Sequence, residues 1–288
     1  MNSFILLIKG FIMGIANIIP GVSGGTLALT LGIYEDFIKA ISHFFSKLKE
    51  NIKFLIPVFI GIGLSLITMS RVIDYSYAHF PIPTMMFFMG LVIGGIPLLL
   101  NKVKKSKEKK QISSYIIMAI TFIFVIVLAL SDQLFNISLK ADLNNINFIG
   151  YILLFIVGMV AAATMVIPGV SGSLVLMLLG YYYPIIKLIK ELTKFKNLGH
   201  NIIVAGVFGI GILVGIVLIS KLIEFLFSKY KVKTYFGVLG FIFASVIAIP
   251  IATITSVENL NFSIIQIIIG LIVLAIGTII GYKLGDKK

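Results

Sequence analysis

Two short stretches interrupt this chain in the same way: Pro20-Gly-Val-Ser-Gly-Gly-Thr26 and Pro168-Gly-Val-Ser-Gly-Ser-Leu174. Each is preceded by an apolar segment and followed by another that ends in Leu-Gly-x-Tyr, at Leu31 to Tyr34 and Leu179 to Tyr182. Proline interrupts the helical hydrogen-bond ladder, and glycine admits turns that other residues resist. Any fold for this sequence must therefore hold two matching non-helical turns, each set between apolar helices.

The flanking segments decide the solvent. With 59% hydrophobic residues, 12% charged residues and a mean hydropathy of +1.12 over 288 positions, the chain has too much apolar surface for one water-soluble core. Apolar runs near 2–19, 26–45, 54–75, 82–100 and 112–131 are followed by runs near 147–167, 173–190, 200–222, 234–253 and 263–284. Several approach the roughly 20 residues that cross about 30 Å of hydrocarbon, which predicts an all-α polytopic membrane protein without a separate aqueous domain. The formal charge of +13 resides in lysines of the short connections, where it orients helices and attracts anionic head groups, and does not mark a nucleic-acid binder. The absence of cysteine excludes disulfides, iron–sulfur clusters and thiolate metal sites. Lys9 and the lack of a small-residue cleavage site argue against a removed signal peptide.

The chain also repeats itself. An offset of 148 residues matches Gly10 to Gly158, Ser23 to Ser171, Gly32 to Gly180, Tyr34 to Tyr182 and Lys39 to Lys187. An offset of 150 then matches Gly61 to Gly211, Arg71 to Lys221, Asp74 to Glu224, Thr84 to Thr234 and Gly90 to Gly240. The basic stretch 101–110 faces a counterpart around 251–262 with Glu258 alone, and Lys229, Lys231 and Lys233 face a stretch with His79 and prolines. Since basic loops stay in the cytoplasm, equivalent loops lie on opposite sides, and the repeats are inverted. The expectation is a single transmembrane domain, 1–288, with repeat one at 1–131, a linker at 132–146 and repeat two at 147–288. Each repeat would hold five apolar segments, three crossing and two forming a re-entrant hairpin broken at Pro-Gly-Val-Ser-Gly, with both termini cytoplasmic. The lysines of 187–196 fall on the outer side in this arrangement, against the charge rule.

The turns are the candidate site. Gly21, Val22, Ser23, Gly24, Gly25 and Thr26, with Gly169, Val170, Ser171, Gly172 and Ser173, present amides and hydroxyls where a helix begins, a setting that suits an anion. The alternative is that glycine and serine only allow close helix packing, as the spacings Gly10/Gly14, Gly90/Gly94, Gly211/Gly215 and Gly277/Gly281 do. Arg71 and Lys221 each precede an acid by three residues, Asp74 and Glu224, so base and acid share a helix face. They are either interfacial anchors or cationic gates held by their carboxylates until phosphate competes. Lys39 and Lys187 are either interfacial lysines or receivers of a head group. Glu35 and Asp36 occur in the first half alone and are candidates for ion coupling, or solvated carboxylates. His43, His79 and His200 show no ligand or triad spacing.

Gly14-Ile-Ala-Asn-Ile-Ile-Pro-Gly-Val-Ser-Gly-Gly-Thr26, echoed by Met165-Val-Ile-Pro-Gly-Val-Ser-Gly-Ser173, resembles the bacterial polyprenyl-phosphate transporters (PopT), a family formerly of unknown function. The likeness spans residues 1–285. It implies transfer of undecaprenyl phosphate from the outer to the inner leaflet of the cytoplasmic membrane, for reuse in cell-envelope synthesis, with no cofactor and no catalysis. Membrane undecaprenyl-pyrophosphate phosphatases also resemble inverted repeats with Pro-Gly-x-Ser loops. Phosphoryl transfer needs charge stabilisation and proton donors, and neither serine loop here carries Arg, Glu or His. A carrier of small soluble anions is a further alternative.

Overall fold

The computed structural model describes residues 2–18, 23–106, 111–134, 141–256 and 263–286. The regular structure among them is helical: α1 (Ser3–Ile18), α2 (Gly24–Thr30), α3 (Tyr34–Ser42), α4 (Leu48–His79), α5 (Pro81–Lys105) and α6 (Ile112–Leu134), then α7 (Phe148–Val166), α8 (Gly172–Leu178), α9 (Tyr182–Thr193), α10 (Leu198–Lys229), α11 (Lys231–Ser256) and α12 (Ile264–Asp286). The lengths follow the same series twice: α4 and α10 have 32 residues each, α2 and α8 have 7 each, and α6 and α12 have 23 each. Seven helices, α4, α5, α6, α7, α10, α11 and α12, are long and apolar enough to cross a membrane, whereas α1 has 16 residues. The chain is a multi-pass membrane protein by this measure.

The segments expected at 26–45 and 173–190 are each two helices. Gly32 (φ +71°) and Gly180 (φ +77°) end α2 and α8 in the left-handed region that glycine enters freely. Paired reversed bonds close both ends: Gly32 N–H to Leu29 O and Ile33 N–H to Ala28 O, and Gly180 N–H to Met177 O and Tyr181 N–H to Leu176 O. This is the Schellman stop, which satisfies the last carbonyls of a helix and re-aims the chain.

Other local features also recur. The α4–α5 corner turns at Phe80 (φ −134°, ψ 55°) and the α10–α11 corner at Tyr230 (φ −131°, ψ 50°). At each, a threonine hydroxyl donates back to the corner carbonyl, Thr84 to Phe80 and Thr234 to Tyr230. Within each half, glycines let helix backbones touch: Gly10 faces Val58 and Gly14 faces Ile62 between α1 and α4, while Gly158 faces Phe208 and Gly215 faces Met159 between α7 and α10. Across the halves, Gly90 and Gly94 of α5 meet α12 at Leu274 and Thr278, and Gly240 of α11 meets α6 at Met118. The glycine spacings predicted from sequence are thus contact seams.

The position of the short helices follows from α10. Its start packs on α9 through Val204 and Leu188, and its far end packs on α3 through Ile223 and Phe227 against Ile38 and Tyr34. At about 1.5 Å per residue, α3 and α9 are separated along α10 by roughly 30 Å, more than half its length. The two turns touch each other, and the second also meets Tyr34 of α3.

Candidate functional site where the two loops meet

Loop one enters α2 through Ser23, whose extended backbone (φ −107°, ψ 137°) lets its side chain accept from the Gly25 amide at 3.2 Å. Asn17, at the end of α1, accepts from the Gly24 amide at 3.1 Å. Two of the amides that a helix start leaves without partners are thereby held internally. The chain reverses between α1 and α2, because buried Lys9 of α1 donates to Leu31 O at 2.7 Å, the C-terminal end of α2. That places a cation at the negative end of a short helix dipole.

Loop two meets loop one directly. The Gly169 amide donates to Thr26 Oγ1 at 2.7 Å, the Tyr34 hydroxyl donates to Val166 O at 3.2 Å, and the Ser23 hydroxyl reaches Ile167 O at 3.4 Å. Thr26 and Ser23 are buried, as are Gly169 and Val170. Gly25 has its α-carbon against the Val166 carbonyl, so a side chain there would displace the second loop. Gly169 has φ +78°, which re-aims the backbone into that contact. Ser171 stands at the start of α8 in extended geometry (φ −85°, ψ 119°), and its side chain does not cap the helix. The first amides of α2 are covered by Asn17 and Ser23, whereas the Ser171 side chain does not cap α8.

The family description "undecaprenyl phosphate translocase-like" matches residues 13–265, a span that contains both loops and their contact. The chain belongs to this family. A polyprenyl-phosphate transporter of Staphylococcus aureus is 35% identical over 284 residues, 98% of this chain and 96% of that protein. A polyprenyl-phosphate transporter of Vibrio cholerae is 28% identical over 245 residues, 80% of this chain and 72% of that protein. No solved structure matches the chain.

Of the charged candidates, Glu35, Asp36, Lys39 and Glu224 fall around the α3 end and Lys187 lies on α9. Glu35 does not point into solvent: Lys102 of α5 reaches its Oε1 at 2.6 Å and the Tyr235 hydroxyl of α11 donates to the same oxygen at 2.8 Å. Burial acts to raise the Glu35 carboxyl, but the bond and charge of Lys102, the Tyr235 hydroxyl and Lys39 together hold it below the usual carboxylate range. The ion pair expected between Lys221 and Glu224 does not form. Glu224 turns instead to His43, at 2.9 Å and on another helix layer, because α10 lays that face on α3 while Lys221 remains exposed. Arg71 is likewise exposed, on α4.

Lys39 lines a cleft of about 480 Å³ with Asp36, His43, Asn51 and Glu224. Lys187 lines one of about 640 Å³ with Asp142, Tyr183, Glu191 and Asn201, and lies 3.7 Å from Glu191. Among the described residues neither cleft is lined by the loops, so these lysines stand apart from the loop contact. Gly21 and Val22 lie outside the described residues, as do the side chains of Ser173 and Asp74.

Sequence reasoning passed over several residues that the fold uses. Asn51 and Asn201 match at the 150-residue offset and do equivalent work: Asn51 donates to His43 O at 2.7 Å and Asn201 to Lys196 O at 2.9 Å, closing the chain after α3 and after α9. That signal was present in the repeat. Lys102 is hidden in a basic run, and the side-chain partner of His43, Glu224, is 181 positions away in sequence.

Proposed function

We propose that this chain carries polyprenyl phosphate, undecaprenyl phosphate in the family's description, across the cytoplasmic membrane from outer to inner leaflet, returning a carrier lipid for cell-envelope synthesis. The observation that carries the proposal at this chain's own residues is the contact of the two Pro-Gly-Val-Ser-Gly loops, Gly169 on Thr26, between helices that present apolar surface outward.

The substrate sets the requirement. A phosphate with nearly two charges meets a barrier of order tens of kcal/mol in hydrocarbon unless polar groups receive it. A tail of dozens of carbons is held in lipid by about 0.8 kcal/mol per CH₂. The head group must pass through protein while the tail remains in the bilayer. In this reading the halves 1–131 and 147–288 of one domain are inverted repeats, each with a re-entrant hairpin, α1–α2 and α7–α8. The head group is met by the turn residues Ser23 to Thr26 and Gly169 to Ser173, with Gly21 and Val22 completing the first turn. Arg71 and Lys221 stand at the two mouths, and Lys39 and Lys187 receive the phosphate at each surface. The direct contact of the two loops supports this arrangement, and rocking of one half on the other would re-aim the pocket.

The loop chemistry favours carriage over catalysis. The Ser23 hydroxyl bonds to the Gly25 amide and the Ile167 carbonyl, neither of which takes a proton from a nucleophile. The deciding experiment is leaflet transfer of polyprenyl phosphate in vesicles that contain the purified protein. Transfer should fall sharply in Ser23→Ala combined with Ser171→Ala while the protein remains folded. Unchanged transfer removes the loops from the mechanism, and phosphate release from undecaprenyl pyrophosphate would identify an enzyme instead.

A further inference from the structure

The two halves are alike in sequence and helix order, but they are not in the same state. At the 148-residue offset Ile38 corresponds to Ile186 and Ile41 to Ile189. Ile38 is 1% exposed and Ile41 7%, whereas Ile186 is 47% and Ile189 53% exposed. The difference has a defined source. The inward faces of α3 and α9 are covered equivalently, α3 by α4 and α9 by α10. The remaining face of α3 is covered by the end of α10, where Ile216 and Val217 pack on Ala40 and Ile41. Among the described residues α9 has no comparable packing on α4.

The faces that would make that packing are both present. Leu66 and Ile67 of α4 stand at the positions of Ile216 and Val217, and they are 43% and 80% exposed. The same asymmetry extends along the arm: Leu31 is 1% exposed and its counterpart Leu179 is 39% exposed.

We infer that α9 docks on α4 in a second state of the protein, with Ile186 and Ile189 against Leu66 and Ile67, as α3 docks on α10 in the state described. The two dockings alternate, so one end closes as the other opens. The polar contacts explain why the α3 end is the closed one. His43 bonds to Glu224, and Lys102 and Tyr235 bond to Glu35, across the α3 end. By the same offsets the corresponding residues are Glu191 and Asp74 for the first pair, and Tyr183 and Ala252 for Glu35 and Lys102. Two acids replace a histidine–acid pair, and the ion pair has no equivalent. These contacts latch the α3 end, and the residue types at the corresponding positions cannot repeat them. This inference rests on the carrier mechanism proposed above but not on the identity of its substrate.

The absence of native cysteine makes the test direct. Ile41→Cys with Val217→Cys reports closure at the α3 end, and Ile189→Cys with Ile67→Cys reports closure at the α9 end. Each pair is treated with a short thiol cross-linker in reconstituted vesicles. A protease site placed between residues 106 and 111 shows whether the link joins the two halves of one chain. Both pairs are expected to cross-link, the first in higher yield, and either link should abolish transfer of polyprenyl phosphate. Glu224→Gln should lower the first yield and raise the second. The inference is overturned if the second pair stays at the single-cysteine background, with and without Glu224→Gln, while the first pair links normally. The exposed faces would then be lipid-facing only. Normal linking at both ends without transfer of polyprenyl phosphate would instead overturn the substrate and leave the alternation standing.

Discussion

The Gly169 amide donates to Thr26 Oγ1 across 2.7 Å, joining residues 143 positions apart at the point where the two loops meet. Both groups are buried, so the bond has no water to replace it. Thr26→Val keeps the shape and removes the acceptor, leaving a buried N–H unsatisfied at a cost of about 1–3 kcal/mol. Thr26→Ser keeps the oxygen and should be close to wild type. Thermal unfolding of the purified protein in detergent distinguishes the two. A Thr26→Val protein as stable as wild type would show that the loops are held together by something else.

The glycine seams make a prediction with an internal control. A β-carbon at Gly10 would collide with the Val58 carbonyl, and one at Gly211 with the Phe155 carbonyl, both rigid backbone. Alanine at either position should destabilise by about 1–3 kcal/mol through overpacking. Gly206 lies on the same helix as Gly211 but faces open space. Gly206→Ala should be neutral or stabilising by up to about 1 kcal/mol, as for any glycine removed from a helix interior. Equal losses at all three positions would mean that helix approach is not what these glycines secure.

What was legible in the sequence was whatever repeats or is locally encoded. Hydropathy marked the long helices, the 148- and 150-residue offsets paired α1–α6 with α7–α12, and Pro-Gly-Val-Ser-Gly marked both turns. The breaks at Gly32 and Gly180 were passed over inside apolar runs, although the repeated Leu-Gly-x-Tyr carries the stop signal. Contacts between helices distant in sequence were not legible. His43 with Glu224, and Glu35 with Lys102 and Tyr235, depend on how α10, α5 and α11 cross α3, and no spacing in the chain encodes a crossing. For the same reason the spacing pairs Lys221 with the acid one helical turn away, whereas Glu224 bonds to His43, the residue that follows α3.

Asn51 and Asn201 should show the repeat energetically. Each is buried and donates to a carbonyl just past its short amphipathic helix, Asn51 to His43 and Asn201 to Lys196. Alanine at either site removes a buried hydrogen bond and should cost about 1 kcal/mol. Hydrogen exchange should accelerate locally, around 43–47 for Asn51→Ala and around 194–198 for Asn201→Ala. Acceleration spread evenly over the chain would refute the local role.

The Glu35–Lys102 pair predicts a pH dependence with a definite sign. The Glu35 carboxyl is held below its ordinary value by Lys102 and the Tyr235 hydroxyl, against the effect of burial. A depressed carboxyl contributes its full stability above the unfolded value of about 4.3 and loses it as pH falls through the folded value. Stability should therefore be flat in this respect from neutral pH down to about 5 and fall in more acid solution. The side chains are 32% and 26% exposed, which limits the contribution to the order of 1 kcal/mol. Glu35→Gln should remove that part of the acid sensitivity. Lys102→Met leaves a half-buried carboxyl without its cation, so its proton affinity rises and protonation sets in at higher pH than in wild type. Thermal unfolding across pH 4 to 7 separates these outcomes. Identical acid profiles for wild type and Glu35→Gln would mean that the pair adds nothing to the folded state.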